Sequence, residues 1–157
     1  MILALDLATK TGFSYRSLTG RIEYGEQDFS LKRGDSPGMR YVRFNAWLRE
    51  MLDFLRPDIV VYEQAHNRGG APTEVLNGLT TRVQEAVALR ENCEHQSVHS
   101  GTLKKFATGN GRASKEDMVA FAAAVTTGES YTNITDNEAD AIALLLYAEN
   151  SLGAEAL

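Results

Sequence analysis

Met1-Ile-Leu-Ala-Leu-Asp6 opens the chain as an apolar run that ends on a carboxylate. A continuous apolar run of this length predicts a strand buried on both faces, and the Lys10-Thr-Gly12 sequence that follows predicts a turn. A buried strand offers little reason for an acid at its end. Asp6 therefore has two interpretations at this point: it caps the turn after the strand, or it belongs to a functional site.

The composition is that of an ordinary soluble globular protein. The chain has 157 residues, of which 43% are hydrophobic and 24% charged, and its net charge is -5. It holds one cysteine, Cys93, and no apolar run near the roughly 20 residues that a membrane span needs. We therefore expect a single domain over residues 1–157, no membrane contact and a cytoplasmic location. The net negative charge argues against a protein that coats nucleic acid nonspecifically. It does not argue against a nucleic-acid enzyme, because a site that gathers carboxylates for a metal is itself acidic.

The next three elements extend the first strand into a sheet covered by a helix. Residues 11–18 and 21–29 alternate loosely around Thr19-Gly20, which predicts an antiparallel three-stranded meander with the opening strand. Apolar residues then recur at helical spacing from Met39 to Leu55, and Pro57 follows. We expect a long amphipathic helix at this point.

Asp58-Ile-Val-Val-Tyr-Glu63 repeats the design of the opening strand, because a β-branched apolar run again ends on a carboxylate. A strand, a helix and a second strand in this order predict a right-handed crossover to a parallel partner, which brings Glu63 close to Asp6. Two neighbouring buried acids repel each other unless a cation lies between them. The pair therefore favours a functional site over a turn cap.

The middle of the chain predicts two helices around a short strand. A helix is expected from Pro72 to about Asn92, and its apolar face is a candidate surface for a dimer. Residues 94–99 are a weakly specified strand. A short helix then ends at Gly109, and Ser114 with Asp117 has the spacing of an N-terminal cap for a further helix.

Three basic or titratable residues of this region have both functional and ordinary interpretations. Lys115 lies in the first turn of its helix, where a cation opposes the helix dipole, so Lys115 and Lys104 are candidates for phosphate or DNA contacts. The alternative is that both are solvated surface lysines. His66 is a candidate metal ligand or DNA contact, although a loop histidine is commonly just solvated.

The last informative stretch begins a helix with a T-x-x-E capping box formed by Thr135 and Glu138. Asp136 and Asp140 are four residues apart and share a helix face, and Asn137 is also a neighbour of Asp140. Glu138 points about 200 degrees away from the aspartates, and its capping role explains it. Asp136 suits the helix dipole, but Asp140 lies among apolar residues and has no such explanation.

Asp6, Glu63, Asp140 and either Asp136 or Asn137 form an oxygen-rich set from two strand ends and one helix. Hard oxygen ligands without cysteine select Mg²⁺ or Mn²⁺. Two such ions about 4 Å apart can activate water and stabilise the leaving oxygen of a phosphodiester. The sequence therefore predicts metal-dependent phosphodiester hydrolysis.

Four motifs in this order resemble the RuvC family of Holliday junction resolvases, in a short form similar to those of bacteriophages. They are Ala4-Leu-Asp6 with Thr11-Gly12, then Val61-Tyr-Glu-Gln64, then Lys104 through Gly109-Asn-Gly111 to Lys115, then Glu138-Ala-Asp-Ala-Ile-Ala143. The resemblance implies an α/β RNase H-like fold with a mixed five-stranded sheet, flanked by helices, in which the first three strands are antiparallel and the last two parallel. It further implies a homodimer in the bacterial cytoplasm that cuts four-way DNA junctions by paired nicks.

Carried over position by position, the resemblance makes Asp6, Glu63 and Asp140 metal ligands. Many family members have an acid or histidine three residues before the last aspartate, whereas this chain has Asn137; we favour Asp136 as the fourth ligand. Lys115 joins the acids as a catalytic residue. The residues expected to contact DNA are Lys104, Lys105, Arg112, Lys115, His66 and Arg68.

Three other classes of protein remain as alternatives. An actin-like or sugar-kinase-like ATP-binding domain also has a first strand that ends in Asp, but it needs a second such domain. A nuclease of the same fold for flaps or branched DNA in general would use the same acids. A noncatalytic binding module of this fold would not need acids at all three sites.

Overall fold

The computed structural model describes residues 1–65, 70–126 and 133–155. It contains a five-stranded sheet in the order β3-β2-β1-β4-β5. The strands are Ile2–Asp6 (β1), Lys10–Arg16 (β2), Ile22–Asp28 (β3), Ile59–Glu63 (β4) and Glu94–Val98 (β5). The helices are Met39–Leu55 (α1), Ala71–Ala88 (α2), Ser100–Thr108 (α3), Lys115–Val125 (α4) and Asp136–Glu155 (α5).

The strand pairing confirms the mixed sheet that the sequence predicts. β1, β2 and β3 form an antiparallel meander, and β1, β4 and β5 pair in parallel. Leu5 lies opposite Tyr62 in the parallel register, so the next residues, Asp6 and Glu63, reach the same edge of the sheet. The apolar runs of β1 and β4 are buried, as their sequences require.

Each face of the sheet carries its own apolar core, and helices cover both. One core is formed with α1 and α2 and includes Phe29, Phe44 and Leu79. The other is formed with α3, α4 and α5 and includes Val98, Leu103 and Ile142. The described residues therefore form a three-layered α/β arrangement in which the sheet is the middle layer.

The apolar face of α2 lies inside the protomer, so our expectation that it forms a dimer surface is wrong. Leu79, Val83 and Val87 are each at most 3% exposed and pack in the core with α1 and the sheet. These side chains cover the parallel strands β1 and β4, which need apolar cover on both faces. Burial within the chain therefore accounts for the apolar stripe of α2.

The element boundaries differ from the sequence prediction mainly at turns. The second strand ends at Arg16, because the Ser17 amide donates to the Arg21 carbonyl at 2.8 Å and closes the turn early. α2 ends at Ala88 rather than near Asn92, whose φ of 61° lies in the left-handed region. Among the described residues, no helix combines the length and the apolar composition that crossing a membrane requires.

α5 is fixed to the meander along its length by polar contacts with β2. The Ser14 hydroxyl is buried and donates to the Ala141 carbonyl at 2.7 Å. The Arg16 guanidinium makes two hydrogen bonds of 2.7 Å to the Glu149 carboxylate. These contacts fix the position of α5 relative to β2, and with it the position of the acids in the first turns of α5.

Candidate active site

The structure brings together three of the acids that the sequence singles out. Asp6 ends β1, Glu63 ends β4, and Asp140 lies in the second turn of α5. Each offers a carboxylate oxygen, and these oxygens lie within 4.8 Å of one another. All three residues are partly buried. We call Asp6, Glu63 and Asp140 the acidic centre.

The acidic centre is electrostatically costly as an isolated group of carboxylates. Burial raises the pKa of Asp6 well above its usual value, and the Asp140, Glu63 and Glu26 carboxylates raise it further. Lys115 opposes this effect only in part. Like charges at this separation disfavour ionisation of each other, so the centre favours a proton or a cation at neutral pH.

Asp140 is perturbed in the same direction. Burial is the main cause that raises the pKa of Asp140 to about 6, and the Glu63 carboxylate adds to it. Lys104 and Lys115 act in the opposite sense. Perturbed carboxylates that share one site are typical of functional centres.

Lys104, in the middle of α3, and Lys115, the first residue of α4, both lie beside the acidic centre. A small cavity of about 110 Å³ lies between α3, α4 and α5 at this edge of the sheet. It is lined by Glu63, Ser100, Lys104, Ser114, Lys115, Met118, Asp136 and Asp140. The cavity therefore places Glu63 and Asp140 beside both lysines that were expected near a phosphate.

Capping boxes begin α4 and α5, two of the three helices that line the cavity, as the sequence predicts. The Asp117 amide donates to the Ser114 hydroxyl at 3.1 Å, and the Asp117 carboxylate accepts from the Ser114 amide at 2.9 Å, which starts α4 at Lys115. The Glu138 carboxylate accepts from the Thr135 amide at 2.8 Å and starts α5. Glu138 is thus a capping residue.

Asp136 lies at the rim of the site and outside the acidic centre. Its Oδ2 accepts a hydrogen bond from Lys115 Nζ at 2.7 Å. This bond is the main reason that the pKa of Lys115 is raised, so the lysine stays charged. The role of Asp136 as a fourth metal ligand stays a prediction.

Asn137, the alternative fourth ligand, faces a residue that sequence reasoning missed. Its amide Nδ2 donates to Glu26 on β3 at 2.8 Å, and the Thr135 hydroxyl donates to the same Glu26 oxygen at 3.0 Å. The signal for Glu26 lies in the meander register, in which Glu26 pairs with Gly12 and Gly12 with Asp6. No short motif in the sequence contains that information.

Two of the remaining residues expected to contact DNA, Lys105 and Arg112, lie in α3 and in the Gly-rich turn after it. Lys105 and Arg112 are exposed. The turn itself is ordered by the Asn110 side chain, which accepts from the Arg112 amide at 3.0 Å, and by Gly109, whose φ of 78° ends α3. His66 and Arg68 lie outside the described residues.

The donor set fits a hard divalent cation. The acidic centre supplies carboxylate oxygens from two strand ends and one helix, within the spacing that one ion can bridge. A cation there would offset the repulsion that raises the pKa values of Asp6 and Asp140. The centre therefore fits the metal that its residue types predict.

Comparisons with known proteins agree with the geometry. No family model matches the chain. The crossover junction endodeoxyribonuclease RuvC of Bdellovibrio bacteriovorus is 28% identical over 150 residues, which cover 94% of this chain and 88% of that protein.

Solved structures show the same fold over nearly the whole chain. RuvC of Thermus thermophilus matches with a TM-score of 0.73 and 19% identity, covering 97% of this chain and 96% of that one. The same protein in complex with a Holliday junction substrate matches with a TM-score of 0.75 and 19% identity, covering 96% and 95% of the two chains. A Fowlpox virus resolvase solved with Holliday junction DNA matches with a TM-score of 0.61 and 13% identity, covering 96% and 99%.

The fold is therefore RNase H-like, with an acidic centre at the carboxyl edge of its central strands. The sequence match and the structural matches together support placing the chain in the RuvC family of resolvases. The expectation of that family is thus confirmed, while the roles of its individual site residues stay predictions.

Proposed function

We propose that this protein is a metal-dependent endonuclease that resolves four-way DNA junctions by paired phosphodiester hydrolysis. The observation that carries the proposal is the acidic centre, in which Asp6, Glu63 and Asp140 converge within 4.8 Å on a RuvC-like fold. Asp6 and Glu63 meet because their parallel strands are in register, and α5 adds Asp140. Strand register and helix docking thus build one site from distant parts of the chain.

The carboxylates of the acidic centre hold the metal in this proposal. Magnesium or manganese suits these oxygens, and two ions per site accord with phosphodiester hydrolysis by this type of centre. When bound, the cation supplies positive charge against the phosphate and lowers the pKa of water near it. Asp136 is proposed as a further ligand at the rim.

Lys104 and Lys115 act on the phosphate that is cut. Both line the cavity beside the acidic centre, and their ammonium groups offset negative charge that builds up on the phosphate during hydrolysis. Asp136 holds the Lys115 ammonium in place at 2.7 Å. Lys105, Arg112, His66 and Arg68 are proposed to hold the flanking DNA backbone by charge.

Two such sites are needed to cut two strands of one junction. We propose a homodimer, since a symmetric junction offers equivalent phosphates to two identical chains. The Thermus and Fowlpox proteins were each solved in complex with Holliday junction DNA as their substrate. Branched DNA is accordingly the proposed partner here, and the bacterial cytoplasm is the proposed location.

The decisive experiment is cleavage of a labelled synthetic four-way junction beside matched duplex, flap and single-stranded DNA, in Mg²⁺, Mn²⁺ or EDTA. We expect symmetric paired nicks in the junction with either metal and none in EDTA. Equal cutting of flaps would indicate a general branched-DNA nuclease. Absence of cutting with any ion would contradict the proposal and favour a noncatalytic binding module.

A further inference from the structure

Glu26 on β3 lies outside the acidic centre but contacts the helix that carries Asp140. Its Oε2 accepts hydrogen bonds from the Asn137 amide at 2.8 Å and from the Thr135 hydroxyl at 3.0 Å. Both donors belong to the N-terminus of α5. A single carboxylate oxygen thus binds the start of this helix to the outer strand of the meander.

The sheet register places Glu26 in line with the acidic centre. Asp6 pairs with Gly12, and Gly12 pairs with Glu26, so the three residues form a row across the sheet. Directly opposed residues of neighbouring strands point to the same face. Asp6 and Glu26 therefore flank a position that has no side chain.

The backbone of α5 fills the space above that position. A Cβ built on Gly12 would lie 2.0 Å from the carbonyl oxygen of Asn137. The first turn of α5 thus lies directly against β2, with Asp6 on one side of it and Glu26 on the other. A small shift of this turn changes the distance between Asp140 and Asp6.

The Thr135 hydroxyl links the cap of α5 to the same carboxylate. It donates to Glu26 and accepts from the Glu138 amide at 3.2 Å. A hydroxyl has one proton, so the bond to Glu26 directs its lone pairs towards the helix. Likewise, a carboxylate can only accept, so Asn137 must turn its amide nitrogen to Glu26 and its oxygen away.

We propose that Glu26 is a positioning residue of the acidic centre: by holding Asn137 and Thr135 it fixes the first turn of α5, and with it the place of Asp140 relative to Asp6. The inference rests on the proposed function only in that the centre binds a divalent cation. Mutation of residues that orient the ligands of a metal typically lowers metal affinity or activity by about 10- to 100-fold.

The test compares Glu26→Ala with Glu26→Gln in the full chain. The alanine variant removes both hydrogen bonds. Glutamine keeps one acceptor oxygen able to take both, loses the charge and has an NH2 group in place of the other carboxylate oxygen. The matched control is Glu23→Ala, which changes an exposed glutamate of the same strand. The main readout is the rise in Tm with added Mg²⁺ in the absence of DNA, and the second is the Mg²⁺ dependence of single-turnover junction cleavage.

We expect Glu26→Ala to need about 10- to 100-fold more Mg²⁺ for half of the full effect in both assays. Glu26→Gln should stay within about threefold of the unsubstituted protein, as should Glu23→Ala. Asn137→Ala should cause little further loss in the Glu26→Ala background, because the two residues act through one hydrogen bond. Junction binding in EDTA should change little in every variant.

Two outcomes would overturn the proposal. Glu26→Ala with an unchanged Mg²⁺ dependence would mean that the bonds do not position the centre, and equal impairment of Glu26→Gln would assign the effect to charge. Measurements on the unsubstituted protein distinguish failure of this inference from failure of the proposed function. If it gains stability with Mg²⁺ yet cuts no junction, the nuclease proposal fails while the Tm comparison still decides the role of Glu26.

Discussion

The Lys115 ammonium lies 2.7 Å from the Asp136 carboxylate and joins the first turns of α4 and α5 beside the acidic centre. The side chains of this pair are 76% and 46% exposed, and exposed ion pairs contribute little to stability. Its importance lies in its place, because the same cavity is lined by Asp140 and Lys104. The pair therefore holds the Lys115 ammonium where a phosphate would approach the acids.

Asp140→Asn and Asp136→Asn should differ in severity. Asp140 belongs to the acidic centre, so its loss is expected to lower junction cleavage by more than about 100-fold, as are Asp6→Asn and Glu63→Gln. Asp136 lies at the rim and is paired with Lys115, so about 10-fold is expected. Single-turnover cleavage at saturating protein measures both effects, and junction binding in EDTA should persist.

An equally severe effect of Asp136→Asn would contradict that order. If the variant also lost the Mg²⁺-induced rise in Tm, Asp136 would be established as a metal ligand. Retained cleavage in Asp6→Asn, Glu63→Gln or Asp140→Asn would remove that residue from the proposed metal site.

Asp6→Asn should stabilise the metal-free protein although it is expected to impair cleavage severely. The Asp6 carboxylate is partly buried beside Asp140 and Glu63, and burial and both neighbours raise its pKa. Removal of one negative charge relieves this repulsion, so in EDTA we expect a higher Tm, by about 2–4 °C for each kcal/mol gained. Differential scanning calorimetry in EDTA and in Mg²⁺ measures the effect.

The gain should disappear with metal present, because the unsubstituted protein alone gains stability from Mg²⁺. A lower Tm of Asp6→Asn in EDTA would show that Asp6 mainly provides structural hydrogen bonds. Glu23→Ala, which removes an exposed charge from the same sheet, is the control and should leave both values nearly unchanged.

The stability of the metal-free protein should depend on pH through Asp140. Its pKa is raised to about 6 in the folded state, above the usual value of 3.8, so the folded state binds the proton more tightly than the unfolded state. The free energy of unfolding should therefore rise as the pH falls from about 7 towards 4. Urea unfolding in EDTA across this range measures it.

Asp140→Asn should reduce this pH dependence, because the asparagine does not titrate, and the remainder should come from Asp6, whose pKa burial also raises. A saturating concentration of Mg²⁺ should flatten it as well, since the cation then neutralises the carboxylates in place of protons. An identical slope in Asp140→Asn and in the unsubstituted protein would assign the pH dependence to other groups.

The parts of the site that sequence reasoning identified are those with local signals. Asp6 and Glu63 end apolar runs, and those runs form buried parallel strands because both faces of the sheet are covered. The T-x-x-E box located the start of α5 and separated Glu138 from the aspartates, since capping depends on spacing within one turn. Convergence of the acids then follows from the handedness of the crossover.

Sequence reasoning missed Glu26 and misassigned the apolar face of α2, because neither has a local signal. Glu26 acquires its contacts from a register between three strands and from a helix more than 100 residues later, and neither is encoded locally. An apolar helix stripe also looks the same whether its own sheet or a second chain covers it. Only the packing of α2 on the sheet distinguishes the two.

Gly12→Ala should damage the site although residue 12 carries no chemistry. A Cβ there would lie 2.0 Å from the Asn137 carbonyl oxygen, which belongs to the backbone and cannot move without moving α5. We expect a loss of about 1–3 kcal/mol or more in the free energy of unfolding. A displacement near 1 Å at the reacting groups costs about 100-fold in rate, so cleavage should fall by that order.

Gly153→Ala is the matched control, since it adds a methyl group near the far end of the same helix, where no atom of the described residues outside that helix's own backbone comes within 4 Å of the added Cβ. It should leave cleavage unchanged and stability equal or slightly higher, because alanine suits a helix better than glycine. If Gly12→Ala kept full cleavage and an unchanged Mg²⁺ dependence, close contact between β2 and α5 would not be what sets the distance from Asp140 to Asp6. The two variants together thus separate docking of the helix from a general effect of added volume.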